Sequence, residues 1–235
     1  MRAPSTPFLR ALTGPIVAVL LLGGCATLDD AGQVIGRADL VNDLAARLDR
    51  SGELTYSADY QLPAGRSATI AQAQQPTRTA YLYPGGKVTV TAEATTRCET
   101  TGPKPSCVLS PPPTPSSGPP ASLLAGAREH GLVTPPLVIG LLTAAALDPD
   151  SVIEQNDTTV AGRHATCVRV EGVSGAAASD FDACVTTEGV LGSFTGVVDG
   201  TPLEISLTRY RDTVDNTAFD LPGDAGVVDH RPGTQ

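Results

Sequence analysis

The stretch Leu54-Thr55-Tyr56-Ser57-Ala58-Asp59-Tyr60-Gln61-Leu62 alternates apolar and polar residues without a break. Successive side chains on a strand point to opposite faces. Leu54, Tyr56, Ala58, Tyr60 and Leu62 therefore share one face, and Thr55, Ser57, Asp59 and Gln61 share the other. Such a strand lies with one face on a core and one in water, as antiparallel sheets do. The pattern recurs on both sides. Thr79–Tyr83 and Lys87–Glu93 flank the turn signal Pro84-Gly85-Gly86, and Val88, Val90 and Ala92 alternate with polar neighbours. Residues 66–73, 158–171, 181–187, 190–198 and 202–210 read as further strands. In the last of these, Leu203, Ile205 and Leu207 alternate with Glu204, Ser206 and Thr208, after the two-residue hairpin signal Asp199-Gly200.

Helices separate the two groups of strands. Val34, Arg37, Val41, Leu44, Ala45 and Leu48 follow helical spacing and predict an amphipathic helix over 34–50, ending near Gly52. Ala121–His130 and Leu137–Leu147 predict two more. The second is apolar on nearly every side, so it must be covered as a core helix or as the roof of a greasy cavity. It is too short to span a bilayer. The order of helix, strands, helices, strands predicts an α+β fold with helices gathered on one face of a curved antiparallel sheet. Residues 102–120 hold eight of the 20 prolines and read as a polyproline-prone or disordered insertion. The chain from Pro222 onward reads as loop, with 231–235 as a tail.

The 235 residues suit one folded domain with tails, and 41% hydrophobic residues are too many for a disordered chain. With 25 acidic against 16 basic residues the net charge is −9, which excludes a nucleic-acid footprint. Arg2 and Arg10 precede an apolar run, Ala11–Leu22, that ends in Leu22-Gly23-Gly24-Cys25. A charged start, a short apolar core and small residues before a cut describe a signal peptide over 1–24. The Leu-Gly-Gly-Cys end resembles the lipobox of bacterial lipoproteins. That resemblance implies a diacylglyceryl thioether on Cys25, palmitate-type acyl chains, and a lipid-anchored protein on the extracytoplasmic face of the cell membrane. Residues 25–33 would then be a lipidated tether. The competing reading is an uncleaved anchor over Ala11–Leu28, weakened by Pro15 and by the pair Gly23-Gly24.

With Cys25 assigned to lipid, Cys98, Cys107, Cys167 and Cys184 remain, an even number with three possible connectivities. Pairing neighbours gives 98–107 and 167–184. Setting Cys167 opposite Cys184 in an antiparallel hairpin also sets Arg169 opposite Asp182 and Val170 opposite Phe181, as cross-strand pairs prefer. A metal site is disfavoured: there is no Cys-x-x-Cys, and His130, His164 and His230 are scattered.

The order of elements resembles the LolA/LppX/LprG-like group of bacterial envelope proteins over residues 34–230. The resemblance rests on the helix leading into Leu54–Tyr60, on Pro76-Thr77-Arg78 before the Pro84-Gly85-Gly86 hairpin, and on Thr187-Glu188-Gly189-Val190-Leu191-Gly192-Ser193-Phe194. It ends on Ala218-Phe219-Asp220-Leu221-Pro222 and Val227-Val228-Asp229. It implies an open antiparallel half-barrel, with helices as a lid, whose concave face holds acyl chains of a lipid or lipoprotein. The Pro-rich insertion and the disulfides depart from the group's general pattern, and aromatic lining residues are sparse.

Residues expected to line such a cavity are Tyr56, Tyr60, Val88, Val90, Leu137, Leu141, Leu142, Leu203, Ile205 and Leu207. Plain core packing produces the same alternation. Arg209 falls on the apolar side of its register, either where the strand leaves the core or at a cavity mouth facing an anionic headgroup. Gly-x-Ser-x-Gly, Ser-x-x-Lys, His-Glu-x-x-His and Walker motifs are absent. The sequence therefore predicts a monomeric, cofactor-free binding lipoprotein rather than an enzyme. The alternative is an envelope sensor or scaffold whose half-barrel is filled by its own side chains.

Overall fold

The computed structural model describes residues 26–113 and 121–233. The segment expected to be a signal peptide, Cys25 where lipidation is expected, and residues 114–120 lie outside the described residues. Helix α1 spans Ala26–Arg50, so the expected tether is helical from Ala26 on. Strands β1 (Tyr56–Gln61), β2 (Ser67–Gln74), β3 (Thr77–Tyr83), β4 (Gly86–Thr91), β5 (Thr95–Glu99) and β6 (Ser106–Ser110) follow. Helices α2 (Ala121–Glu129) and α3 (Pro135–Leu147) come next. Then come β7 (Val152–Val160), β8 (Arg163–Glu171), β9 (Phe181–Thr186), β10 (Leu191–Val198), β11 (Thr201–Arg211) and β12 (Gly226–Asp229).

All twelve strands form one sheet in the order β12-β6-β5-β4-β3-β2-β1-β11-β10-β9-β8-β7. Every pairing is antiparallel except β12 with β6. The architecture is the α+β half-barrel that the sequence predicted. The packing described below lies within the compact unit that begins at Arg37.

Four local readings are corrected. The span 158–171 is not one strand but the end of β7 and all of β8, turned at Ala161-Gly162, both with positive φ. Strand β7 is an edge strand whose residues are exposed or at most half-buried, so it carries no one-sided apolar signal. Residues 106–110 of the Pro-rich stretch are strand β6, paired on both sides. The prolines at 103, 105 and 111–113 lie just outside β6 and punctuate it rather than break it. Strand β5 was not anticipated. The loop from Pro222 contains β12, which adds to β6.

Helix α1 buries Val41, Leu44, Ala45 and Leu48, one stripe at i, i+3, i+4 and i+7. Its end is held from the sheet: Gln72 and Gln74 of β2 each donate a side-chain N–H to the Gly52 carbonyl at 2.6 Å. Ser51 Oγ donates to the Leu48 carbonyl at 2.6 Å. Helix α3 starts at Thr134-Pro135-Pro136, where proline removes donors that the first turn would leave unbonded.

The hairpin β8–β9 sets Cys167 opposite Cys184, Arg169 opposite Asp182 and Val170 opposite Phe181, the predicted register. Cys98 lies opposite Cys107 across β5 and β6. Both pairs are disulfide-bonded. Between β11 and β12 the chain crosses strands β3 and β4. Arg78 donates to Asn216 Oδ1 at 2.7 Å and its guanidinium lies 4.3 Å from the centre of the Phe219 ring. Lys87 Nζ donates to the Asp220 carbonyl. These contacts strap the C-terminal segment to the sheet.

Candidate functional site

Most residues expected to line a barrel cavity are core. Tyr56, Tyr60, Val88, Leu142, Leu203, Ile205 and Leu207 are buried in one cluster with Val41, Leu44 and Leu48 of α1 and Val138 and Ala145 of α3. Val90 is half-buried against the same cluster. The helices therefore fill the concave face with their own side chains. Tyr60 donates its hydroxyl to the Leu191 carbonyl at 2.9 Å, satisfying the one polar atom it carries inward. Tyr56 also borders a small space of about 170 Å³ under the start of α3.

Arg209 is exposed, and β-bulge geometry explains why. Asp59 pairs with Arg209 but Tyr60 pairs with Leu207, which leaves Thr208 as the extra residue. The bulge shifts the alternation by one, and Arg209 turns outward instead of following Leu203, Ile205 and Leu207. The expectation that Arg209 stands on the apolar side is thereby overturned.

Burial pushes the Tyr56 phenol up to about 12, against a lowering contact with the Ser51 side chain. Burial also raises Tyr60 and Tyr81 well above the ordinary value of 10.0. The unfolded chain loses these protons near pH 10 while the folded protein keeps them. Their contribution to stability is thus complete below about pH 10 and lost as pH rises through the folded values. Alkaline titration followed by tyrosinate absorbance should show these three tyrosines ionising together with loss of far-UV structure, not before it.

Of the predicted residues, Leu137 is half-buried and Leu141 is a core residue at 3% exposure, and both have a side on a second, larger space. They line a cleft of about 610 Å³ between α2 and α3. Leu124 and Ala125 of α2, Leu132 between the helices and Ala176 and Ala177 of the 172–180 loop complete most of its wall. The size falls in the range of small-molecule sites, and the lining is largely aliphatic, as such sites require. Gly140 on α3, itself exposed, lines the cleft without a side chain, and a Cβ there would meet nothing within 4 Å. Helix α3 is thus not covered on every side. Leu137 and Ala144 are only half-buried on the cleft side.

Arg128 and Asp199 are the charged residues lining the cleft, joined at 2.6 Å between Nη1 and Oδ2. Arg128 sits near the end of α2. Asp199 sits at the β10–β11 turn with φ 48, its backbone N–H bonded to the Ala177 carbonyl at 2.7 Å. Sequence reasoning read Asp199 only as a turn residue and did not single out Arg128, Gly140 or Leu132. The all-round apolarity of α3 was the one signal pointing here. Among the described residues no cluster of three or more His, Cys, Asp or Glu side chains could hold a metal ion. No described helix is long and apolar enough to cross a membrane.

The chain matches no protein-family model. It matches no curated protein by sequence. Its twelve-stranded sheet with helices packed on one face finds counterparts among solved structures. The fold is similar to that of MucB. The crystal structure of MucB aligns at TM-score 0.51 and 14% identity, over 79% of this chain and 64% of MucB. This chain therefore spans just under two thirds of MucB. The MucB likeness supports the half-barrel fold that the LolA-like resemblance implies. An uncharacterised conserved protein from Thermus thermophilus aligns at TM-score 0.46 and 12% identity, over 80% of this chain and 97% of that one. The complex of Pseudomonas aeruginosa MucA and MucB aligns at TM-score 0.48 and 12% identity, over 80% of this chain and 63% of the matched chain.

Proposed function

We propose that this chain is an extracytoplasmic lipoprotein, anchored through Cys25, that binds one long apolar ligand such as an acyl chain. The binding is non-catalytic and takes place in the α2–α3 cleft, not inside the barrel. The observation that carries the reading is the cleft itself, an apolar space of about 610 Å³ beside a core that is otherwise filled. The lipobox supports the anchor. Two disulfides support an oxidising, extracytoplasmic compartment.

Gly140→Leu tests the cleft. Leucine is a far better helix former than glycine, by roughly 0.5–1 kcal/mol, and its side chain would stand in open space on the α3 side of the cleft. The variant should unfold at the same temperature or slightly higher. Native mass spectrometry of the full-length protein with hexadecanol should show one adduct on the unchanged protein and at least about tenfold less on the variant. No adduct on the unchanged protein would sink the cleft reading.

A second reading is favoured by the filled concave face. There the chain is an envelope sensor or scaffold whose ligand is another protein. Crosslinking in the native envelope that recovers one stoichiometric protein partner, with no lipid adduct, would select it.

A further inference from the structure

The polar end of the cleft points to the class of ligand. We propose that the cleft is selective for a single-chain anionic amphiphile, a long-chain carboxylate. Arg128 receives its headgroup, and Asp199 is the resident counter-ion that the headgroup displaces. This rests on the cleft-binding reading above.

Arg128 and Asp199 are the two charged side chains among the residues that line the cleft, and they stand together at one place. The wall formed by Leu124, Leu132, Leu137 and Leu141 offers nothing to a polar group. A ligand with an aliphatic tail therefore has one position at which a charged end can be met. The guanidinium presents a planar fork of donors that matches a carboxylate, and one of its nitrogens already holds one in Asp199 at 2.6 Å.

The ion pair is suited to exchange. Its side chains are 36% and 54% exposed, and exposed pairs are weak. Asp199 holds its place through its own backbone, by the bond to the Ala177 carbonyl, and not through Arg128. Releasing the side chain leaves the turn intact. The pair also ties α2 to the β10–β11 turn. A neutral ligand would leave that tie closed, and an anionic one would take it over.

The test uses the full-length protein in its native membrane. The probes are hexadecanoic acid and hexadecanol, each with the same tail-borne diazirine, and labelled peptides are mapped after irradiation. The acid should label α2 and α3 peptides about fivefold more than the alcohol, the size expected of an exposed charge pair. Arg128→Gln should remove that difference, acid labelling falling to the level of alcohol labelling measured in the same variant. Asp199→Asn keeps a residue that tolerates positive φ and should raise acid labelling, a gain that misfolding cannot imitate.

Equal labelling by acid and alcohol, unmoved by Arg128→Gln, would overturn the headgroup assignment and leave the cleft reading standing. Labelling of α2 and α3 no greater than in Gly140→Leu would overturn both.

Discussion

Phe194→Ala is expected to destabilise the domain by about 3–5 kcal/mol, the range for emptying a fully packed aromatic site. Phe194 is completely buried and stacks on Phe181 with ring centres 5.9 Å apart. It lies opposite Ala183 on β9 and Ile205 on β11. Two residues along, Gly196 leaves the room that Phe181 uses: a Cβ there would stand 2.9 Å from the Phe181 Cβ. The site cannot collapse easily, because three neighbouring strands hold their spacing through backbone hydrogen bonds. In urea the midpoint should fall with little change in slope. In a domain of this size about 1 kcal/mol moves the melting temperature by roughly 2–4 °C, so a loss on the order of 10 °C is expected. Val197→Ala, at a residue 54% exposed, should change stability by less than about 0.5 kcal/mol.

Gly189→Ala is expected to cost about 2–4 kcal/mol for two separable reasons. Gly189 has φ +89, where a side chain is strained, and a Cβ there would stand 2.5 Å from the Arg47 carbonyl oxygen of α1. That oxygen belongs to a helix backbone, so α1 must lift from the turn. Gly200→Ala separates the two terms: φ is +79, but nothing lies within 4 Å of a Cβ. It should cost only the backbone strain, about 1–2 kcal/mol. Equal melting temperatures for the two variants would show that α1 does not rest on the 186–190 turn.

How far the sequence could be read depends on what each residue's partners are. One-sided strands announce themselves because water lies on one side and core on the other. Leu203–Leu207 was legible for that reason, Tyr56–Gln61 from its alternating residue types although Ser57 on its polar face is buried as well, and the Cys167–Cys184 hairpin because charge, size and sulfur all chose one register. Strand β7 was not legible, because an edge strand exposed on both faces has no contrast to display. Strand β6 was hidden by prolines that turned out to flank it. Arg209 was misplaced by a single bulge at Thr208, since one inserted residue inverts every later assignment on a strand.

The candidate site was less legible than the fold. Alternation says that a face is apolar but not what covers it, and helices α1 and α3 cover the face on which a ligand was expected. The cleft depends on the distance between α2 and α3 and on a glycine that fills no space. Its ion pair joins residues 71 positions apart, with no local pattern to connect them.

By itself the sequence determined the α+β class, the one-sided sheet, the hairpin register and its disulfide, and the expectation of an exported, lipid-anchored chain. These follow from local chemistry: periodicity, turn residues, cysteine placement and an N-terminal address. Tertiary structure alone decided that the half-barrel is filled, that the open apolar space lies beside α3, and that Arg128 meets Asp199 there. Those are outcomes of packing, and packing is set by which surfaces meet after the chain has folded.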